Sequence, residues 1–295
     1  MPEGHTIHRL ARDLRSTLKG DRVVASSPQG RFADGAAALD GATLRRADAW
    51  GKYLFCDFGT GEVLHVHLGL IGKFRRRPSP PPDPTGAVRL RLEGGRATWD
   101  LSGPTRCELL TPEEQDRIVA GLGPDPLRSD PDPELARERL ARTSRPIGAT
   151  LLDQRIIAGI GNVYRAELLF LCNIHPATES RALTDLQFDE LWARTVELLS
   201  VGVRLGRIVT TEPDDIGRPR SRMRSDDRLY VYHRDRCRRC GTELATLVLG
   251  GRPIWFCPTC QPSPHGHAAR HDAAPRQDAE GRAGRARGRS GPPAY

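Results

Sequence analysis

The chain has 295 residues, 38% of them hydrophobic, which is enough for two domains that each bury a core. Charged residues interrupt positions 1–22 throughout, and no stretch has the length and apolarity of a membrane-spanning helix. The expectation is a cytoplasmic protein with no membrane partner, and the formal net charge of +8 points to a polyanion as its partner.

The first residues read Met-Pro-Glu-Gly-His-Thr-Ile-His. Methionine before a small residue is normally trimmed, which leaves Pro2 as a free secondary amine followed by the carboxylic acid of Glu3. An N-terminal amine titrates near ~7.7–8.0, so part of it is an unprotonated nucleophile at neutral pH. It can attack a sugar aldehyde carbon while Glu3 supplies a proton. Taken alone, the same residues more commonly just begin a helix, and residues 3–18 do read as one. Ile7, Leu10, Ala11, Leu14 and Leu18 fall at helical spacing, and Gly20 stops the run.

Short alternating segments follow at 52–58, 63–68 and 87–92, and they predict an antiparallel sandwich or barrel over roughly 20–110. In the last segment Val88, Leu90 and Leu92 face one way, and Arg89 and Arg91 the other. Pro78 to Pro84 is a loop that cannot lie inside a sheet. Residues 112–133 read as a linker with one short helix. Helical patterns then cover 133–142, 148–156, 162–172 and about 184–205, the last opened by a Thr184–Gln187 capping box. Residues 206–228 are polar and aperiodic and suggest a mobile loop. Residues 229–261 form the last ordered unit. The 262–295 tail, with six Arg against three acids, predicts a disordered basic extension.

Four of the seven cysteines are arranged as Cys237-x2-Cys240-x16-Cys257-x2-Cys260, a zinc-ribbon spacing. Four thiolates leave no open coordination position, so the expected Zn²⁺ is structural. Cys56, Cys107 and Cys172 lie in apolar segments and read as buried thiols. A second signal is Ala158-Gly159-Ile160-Gly161-Asn162, a glycine-rich turn leading into a helix. Such a turn can bring a phosphate to free N–H groups, with Asn162 at the cap and Arg155 just upstream. Lys52, His65, His67 and Arg252 are each unremarkable alone.

Together these pieces resemble the formamidopyrimidine-DNA glycosylase/endonuclease VIII (Fpg/Nei) family. The ordered motifs are Pro-Glu-Gly, Gly-Lys-Tyr-Leu, His-Leu-Gly-x-x-Gly at 67–72, Gly-Ile-Gly-Asn-Val-Tyr and the four-cysteine ribbon. The resemblance implies an α+β multidomain fold. An N-terminal catalytic antiparallel β-sandwich flanked by helices (1–112) is joined by a linker (113–132) to a helical helix–two-turn–helix DNA-binding domain (133–228). A zinc finger (229–261) and the tail (262–295) follow. It implies a bifunctional DNA glycosylase/AP lyase of base excision repair. Pro2 would form a Schiff base at C1′, Glu3 would protonate the sugar side, and Lys52 would assist base release and β-elimination. Arg252 would grip the phosphate beside the lesion, and Asn162, Arg155 and His67 match phosphate-contacting positions.

The Pro-Glu-Gly start and the absence of the arginine–phenylalanine wedge of purine-type members resemble the endonuclease VIII branch, its actinobacterial members especially. Residues 100–107 read Asp-Leu-Ser-Gly-Pro-Thr-Arg-Cys instead of that wedge, which leaves Leu70 to fill the emptied stack. Thr6 and His8 stand where many relatives carry an acid. The expected substrate is oxidised, mainly pyrimidine, bases in double- or single-stranded DNA, with cleavage by β,δ-elimination. The expected cofactor is one structural Zn²⁺ and the expected state a nucleoid-associated monomer. The alternatives are an oxidised-purine glycosylase and a non-catalytic damaged-DNA-binding protein on the same scaffold.

Overall fold

The computed structural model describes residues 2–263. Met1 and nearly all of the expected basic tail lie outside the described residues.

Helix α1 (Gly4–Leu18) buries Ile7, Leu10, Ala11, Leu14 and Leu18, the stripe its periodicity predicts, and Glu3 is its N-cap. Burying each such Leu or Ile is worth roughly 1.5–3 kcal/mol. Strand β1 (Val24–Ser26) and helix α2 (Ala33–Leu39) follow, then β2 (Arg46–Trp50), β3 (Tyr53–Asp57), β4 (Val63–His67), β5 (Lys73–Arg76), β6 (Val88–Glu93), β7 (Thr98–Ser102) and β8 (Arg106–Leu110). They make two antiparallel four-stranded sheets, ordered β1-β6-β7-β5 and β2-β3-β4-β8. Register pairs Leu54 with Val66 and Cys56 with Leu64. That alternation turns Leu54, Cys56, Leu64 and Val66 into a core shared with α1 and with Leu90 and Leu101 of the other sheet.

Three strands of the sandwich are legible in the sequence, whereas β1, β2, β5, β7 and β8 are not. The arginine face of β6 is not open to solvent at Arg91. Arg91 is buried, and its guanidinium donates to both oxygens of Asp100 on β7 at 2.7 and 2.9 Å. Arg77 adds a third bond to Asp100 at 2.6 Å, and Pro82 O accepts from Arg91 at 3.0 Å. The proline-rich loop therefore covers this face, and a paired charge is what lets it be covered.

Helix α3 (Pro112–Ala120), with a capping box at Thr111–Glu114, leads to α4 (Pro133–Ala141). The helix expected over 148–156 is only α5 (Ile147–Thr150). Its continuation is broken because the carbonyl of Gln154 accepts from Gly123 N at 2.8 Å, in the linker. Helices α6 (Asn162–Leu171) and α7 (Asp185–Leu205) follow, α7 capped by Thr184 and Gln187 as expected. The 206–228 segment is not featureless. It holds α8 (Pro213–Ile216) and two 3-10 turns, and Arg220 ties it to Glu197 of α7 at 2.8 Å and to Glu212 at 2.7 Å. The chain closes on the hairpin β9 (Ala245–Leu249) and β10 (Arg252–Phe256). A second core gathers α4 to α7 and the hairpin around Leu140, Tyr164, Phe170, Leu191, Tyr230 and Ile254. Among the described residues no helix is long and apolar enough to cross a membrane.

Candidate active site

The N-terminus of α6 has backbone N–H groups with no partner inside the helix. The sequence suggests a phosphate for them, and the fold gives them the carboxylate of Glu3. Gly161 N donates to Glu3 Oε2 at 2.8 Å, Val163 N to Oε1 at 2.9 Å and Tyr164 N to Oε2 at 3.4 Å. The glycines of the turn serve this approach. A Cβ on Gly161 would stand 2.4 Å from the Glu3 carboxyl carbon, and one on Gly4 would stand 2.8 Å from the Gly159 Cα. The helix cap is Gly161, and Asn162 is the first helical residue. The buried Asn162 amide donates to Pro253 O at 3.1 Å and accepts from Arg165 Nε at 2.9 Å, so it ties α6 to β10.

Glu3 is fully buried, and burial raises its pKa against the opposing pull of Lys52 and the three N–H bonds. A proton is thereby easier to keep on this carboxyl than on an ordinary one. Lys52 sits in the β2–β3 turn just ahead of β3, and its ammonium donates to Ile160 O at 2.5 Å. Burial pulls it down to about 8; Glu3 opposes that shift, while Arg252 and Arg165 add to it. The pair is thus an acid biased upward beside a base biased downward.

A cleft of about 550 Å³ opens beside them. Its lining brings together Pro2, Lys52, His67, Leu70 and Arg252, of which Pro2 and Arg252 are 250 positions apart in sequence. His67 reaches it from β4, tilted against Tyr53 with ring centroids 5.1 Å apart. Burial, with His65 and Lys52 nearby, holds the His67 imidazole below its usual pKa. Arg155 does not line the cleft, and its guanidinium pairs with Asp153 at 2.8 and 3.0 Å. Residue-by-residue reading missed Tyr53 and Gln154, which also line the cleft. The Gln154 amide donates to Ile160 O at 3.0 Å, the carbonyl that also receives Lys52, and accepts from Gly159 N at 2.9 Å. Its only sequence signal is its place next to Arg155 ahead of the glycine turn.

The His-Leu-Gly-x-x-Gly motif is a tight loop between β4 and β5. Gly69 has φ +66, and a Cβ there would meet Thr105 Oγ1 at 1.9 Å; one on Gly72 would meet Leu68 O at 2.2 Å. Folded this way the loop holds two apolar side chains in solvent, Leu70 at 54% exposure and Ile71 at 78%. The sequence reading named only the first.

Arg252 is positioned from behind. The buried Arg165 of α6 donates to Arg252 O at 3.0 Å, Leu249 O at 2.9 Å and Gly148 O at 2.5 Å, which fixes the hairpin turn against the helix. The four hairpin-flanking thiols lie within 4.8 Å of one another. Sγ separations are 3.9 Å for Cys237–Cys260, 3.5 Å for Cys240–Cys257 and 3.6 Å for Cys240–Cys260. Four thiolates about 2.3 Å from a tetrahedral Zn²⁺ stand about 3.8 Å apart, so the cluster fits zinc and leaves no open position. Of the other thiols, Cys56 and Cys172 are buried and Cys107 is half-buried, and burial pushes each up to about 12.

Comparison with known proteins supplies the family. Residues 1–103 match the formamidopyrimidine-DNA glycosylase N-terminal domain, 122–214 its H2TH domain and 234–262 the zinc finger found in FPG and IleRS. The chain is 49% identical over 268 residues to endonuclease 8 1 of Mycobacterium tuberculosis, covering 88% of this chain and all of that relative. It is 35% identical to the formamidopyrimidine-DNA glycosylase of a Synechococcus strain, over 72% of this chain and 79% of the relative. A crystal structure of Lactococcus lactis Fpg with DNA containing an abasic site superposes with a TM-score of 0.73 at 26% identity, over 88% of this chain and all of the other. The chain therefore belongs to the Fpg/Nei family of DNA glycosylases with AP lyase activity.

Proposed function

We propose that this enzyme removes oxidised bases, pyrimidines foremost, through a Schiff base on Pro2 and then cuts the strand by β,δ-elimination. The observation that carries the reading is the Glu3–Lys52 pair, an acid and a base tuned in opposite directions at the cleft that Pro2 lines. In this reading Met1 is removed. The damaged nucleotide leaves the stack, which is easiest where the lesion already weakens pairing. The Pro2 nitrogen forms a bond to C1′ as Glu3 protonates the deoxyribose side, and the base departs. The secondary amine can yield only an iminium, which has no N–H proton to lose and so keeps its charge. That charge makes the C2′ proton acidic. Lys52, which lines the same cleft, takes it, the 3′ phosphate leaves, and a second elimination can release the 5′ phosphate. Arg252 and His67 supply the phosphate contacts, and one Zn²⁺ holds the finger in shape.

The endonuclease VIII-like start and the short Leu70–Ile71 wedge support the pyrimidine preference. Without the arginine–phenylalanine wedge of purine-type members the orphaned base should be held loosely, so several opposite bases should be tolerated, and bubbles or single strands should be cut as well. The test is a panel of end-labelled duplexes carrying thymine glycol, 5-hydroxycytosine, 8-oxoguanine or an abasic site. Oxidised pyrimidines should be cut faster than 8-oxoguanine. Preferential cutting of 8-oxoguanine opposite cytosine would overturn the base preference and leave the Pro2 chemistry standing.

A further inference from the structure

The linker reads in sequence as a chain segment without chemistry, yet it contributes a buried carboxylate. Asp125 is 1% exposed. Its Oδ2 accepts from His8 Nε2 at 2.6 Å and from Gly51 N at 2.7 Å, and its Oδ1 accepts from Leu127 N at 2.9 Å. A carboxylate oxygen only accepts, so His8 presents an N–H at Nε2. The two donors on Oδ2 come from the two elements that carry the proposed chemistry. His8 lies on α1 a little more than one turn after Glu3, and Gly51 immediately precedes Lys52.

We propose that Asp125 is a positioning residue that fixes Lys52 relative to the Pro2–Glu3 end of α1, through its shared hydrogen bonds to His8 and Gly51. Other contacts make the placement rigid. Gly51 has φ +55, and a Cβ there would stand 2.8 Å from Ala158 Cβ and 2.9 Å from Gly159 N, so the β2–β3 turn already abuts the glycine turn. The linker also straps the end of β2. Trp50 Nε1 donates to Gly123 O at 2.9 Å, and Arg128 donates to Ala49 O at 3.1 Å while its guanidinium sits 4.5 Å over the Trp50 ring. Charge-assisted bonds to a buried carboxylate are short and directional, which suits a joint between two elements. If Asp125 only stabilised the fold, any anchor along the linker would serve. Instead one oxygen joins the α1 side chain and the Lys52 turn.

The inference rests on the proposed roles of Lys52 and Glu3, so Lys52→Gln is the reference in its test. Single-turnover borohydride trapping, DNA affinity and thermal midpoint would be measured for Asp125→Ala, Asp125→Asn, Lys52→Gln and the Asp125→Ala/Lys52→Gln double variant. Because a displacement of about 1 Å at a reacting group can lower a rate on the order of 100-fold, Asp125→Ala should slow trapping by roughly 10- to 100-fold with DNA affinity nearly unchanged. Asp125→Asn keeps one acceptor oxygen and should fall between Asp125→Ala and wild type, and it stands in if the alanine variant does not fold. The double variant should be no slower than Lys52→Gln alone, because a positioning residue has nothing left to position. Losses that multiply in the double variant, or a lowered midpoint with unchanged rates, would overturn the proposal. A Lys52→Gln variant as fast as wild type would remove the role of Lys52 itself, and this inference with it.

Discussion

Helix α6 meets two fully buried carboxylates, Glu3 at its N-terminus and its own Glu167. Each gathers three backbone N–H groups. Glu3 takes those of Gly161, Val163 and Tyr164, and Glu167 takes those of Tyr230, Val231 and Tyr232 at 2.7–2.8 Å. Burial raises the pKa of both, and the hydrogen bonds pull the other way in both. The neighbours are what differ. Glu3 has Lys52 beside it and Pro2 next in the chain at the mouth of the cleft, whereas the fourth partner of Glu167 is the Thr210 hydroxyl at 2.5 Å. The same backbone solution therefore anchors the approach to the finger in one place and, in the proposed reaction, prepares an acid in the other. Perturbed burial alone does not mark chemistry; a counter-tuned base and an open cleft do.

Exchanging the two acids should separate these roles. Glu3→Gln should lower base excision by about 100-fold or more, the usual contribution of a general acid. It should retain lyase activity on a preformed abasic site, where the aldehyde is already accessible. Equal loss in both assays would make Glu3 a structural residue like Glu167. Glu167→Ala should do the reverse. Leaving three buried N–H groups without a partner costs about 3 kcal/mol or more, which lowers the thermal midpoint on the order of 5–10 °C. Rates per folded, zinc-loaded molecule should hardly change. A stable Glu167→Ala protein with slow chemistry would break the comparison.

The Lys52 side of the comparison is tested by pH. Burial brings its ammonium down to about 8, so the neutral amine increases as pH rises through that value. Free α-amino groups ordinarily titrate in the same range, so the informative quantity is the ratio of wild-type to Lys52→Gln lyase rates. If Lys52 takes the C2′ proton, that ratio climbs with pH to about 8 and then levels. A ratio that falls over the same range would make Lys52 a proton donor instead. The smallest effect belongs to Arg252. Arg252→Ala should leave zinc bound and reduce the salt dependence of DNA binding by about one unit of slope, the share of one phosphate contact. An unchanged slope would place Arg252 off the backbone.

What was legible in the sequence depended on near neighbours. The apolar stripe of α1, the Thr184–Gln187 capping box and the two cysteine pairs each involve residues a few positions apart, and each appears in the fold. What was not legible depended on distant partners. Arg91 looks solvated until Asp100 is known to lie across the sheet, and Glu167 looks like any helix glutamate until residues 63–65 positions later bring their N–H groups. The glycine turn is legible but the carboxylate that meets its N–H groups is not, because Glu3 lies some 160 residues earlier. The site residues were legible chiefly as a set. Pro2, Lys52, His67 and Arg252 are unremarkable singly, and their convergence on one cleft is a property of the fold.

The central claim is that the nitrogen of Pro2 carries the DNA. Borohydride reduction during turnover on an abasic duplex, followed by proteolysis and mass spectrometry of the adduct, reads the attachment site directly. The account predicts a single adduct on an N-terminal peptide beginning at Pro2, and trapping that is abolished or sharply reduced in Pro2→Gly and in protein that retains Met1. An adduct on Lys52, or wild-type trapping by protein that still carries Met1, would contradict it.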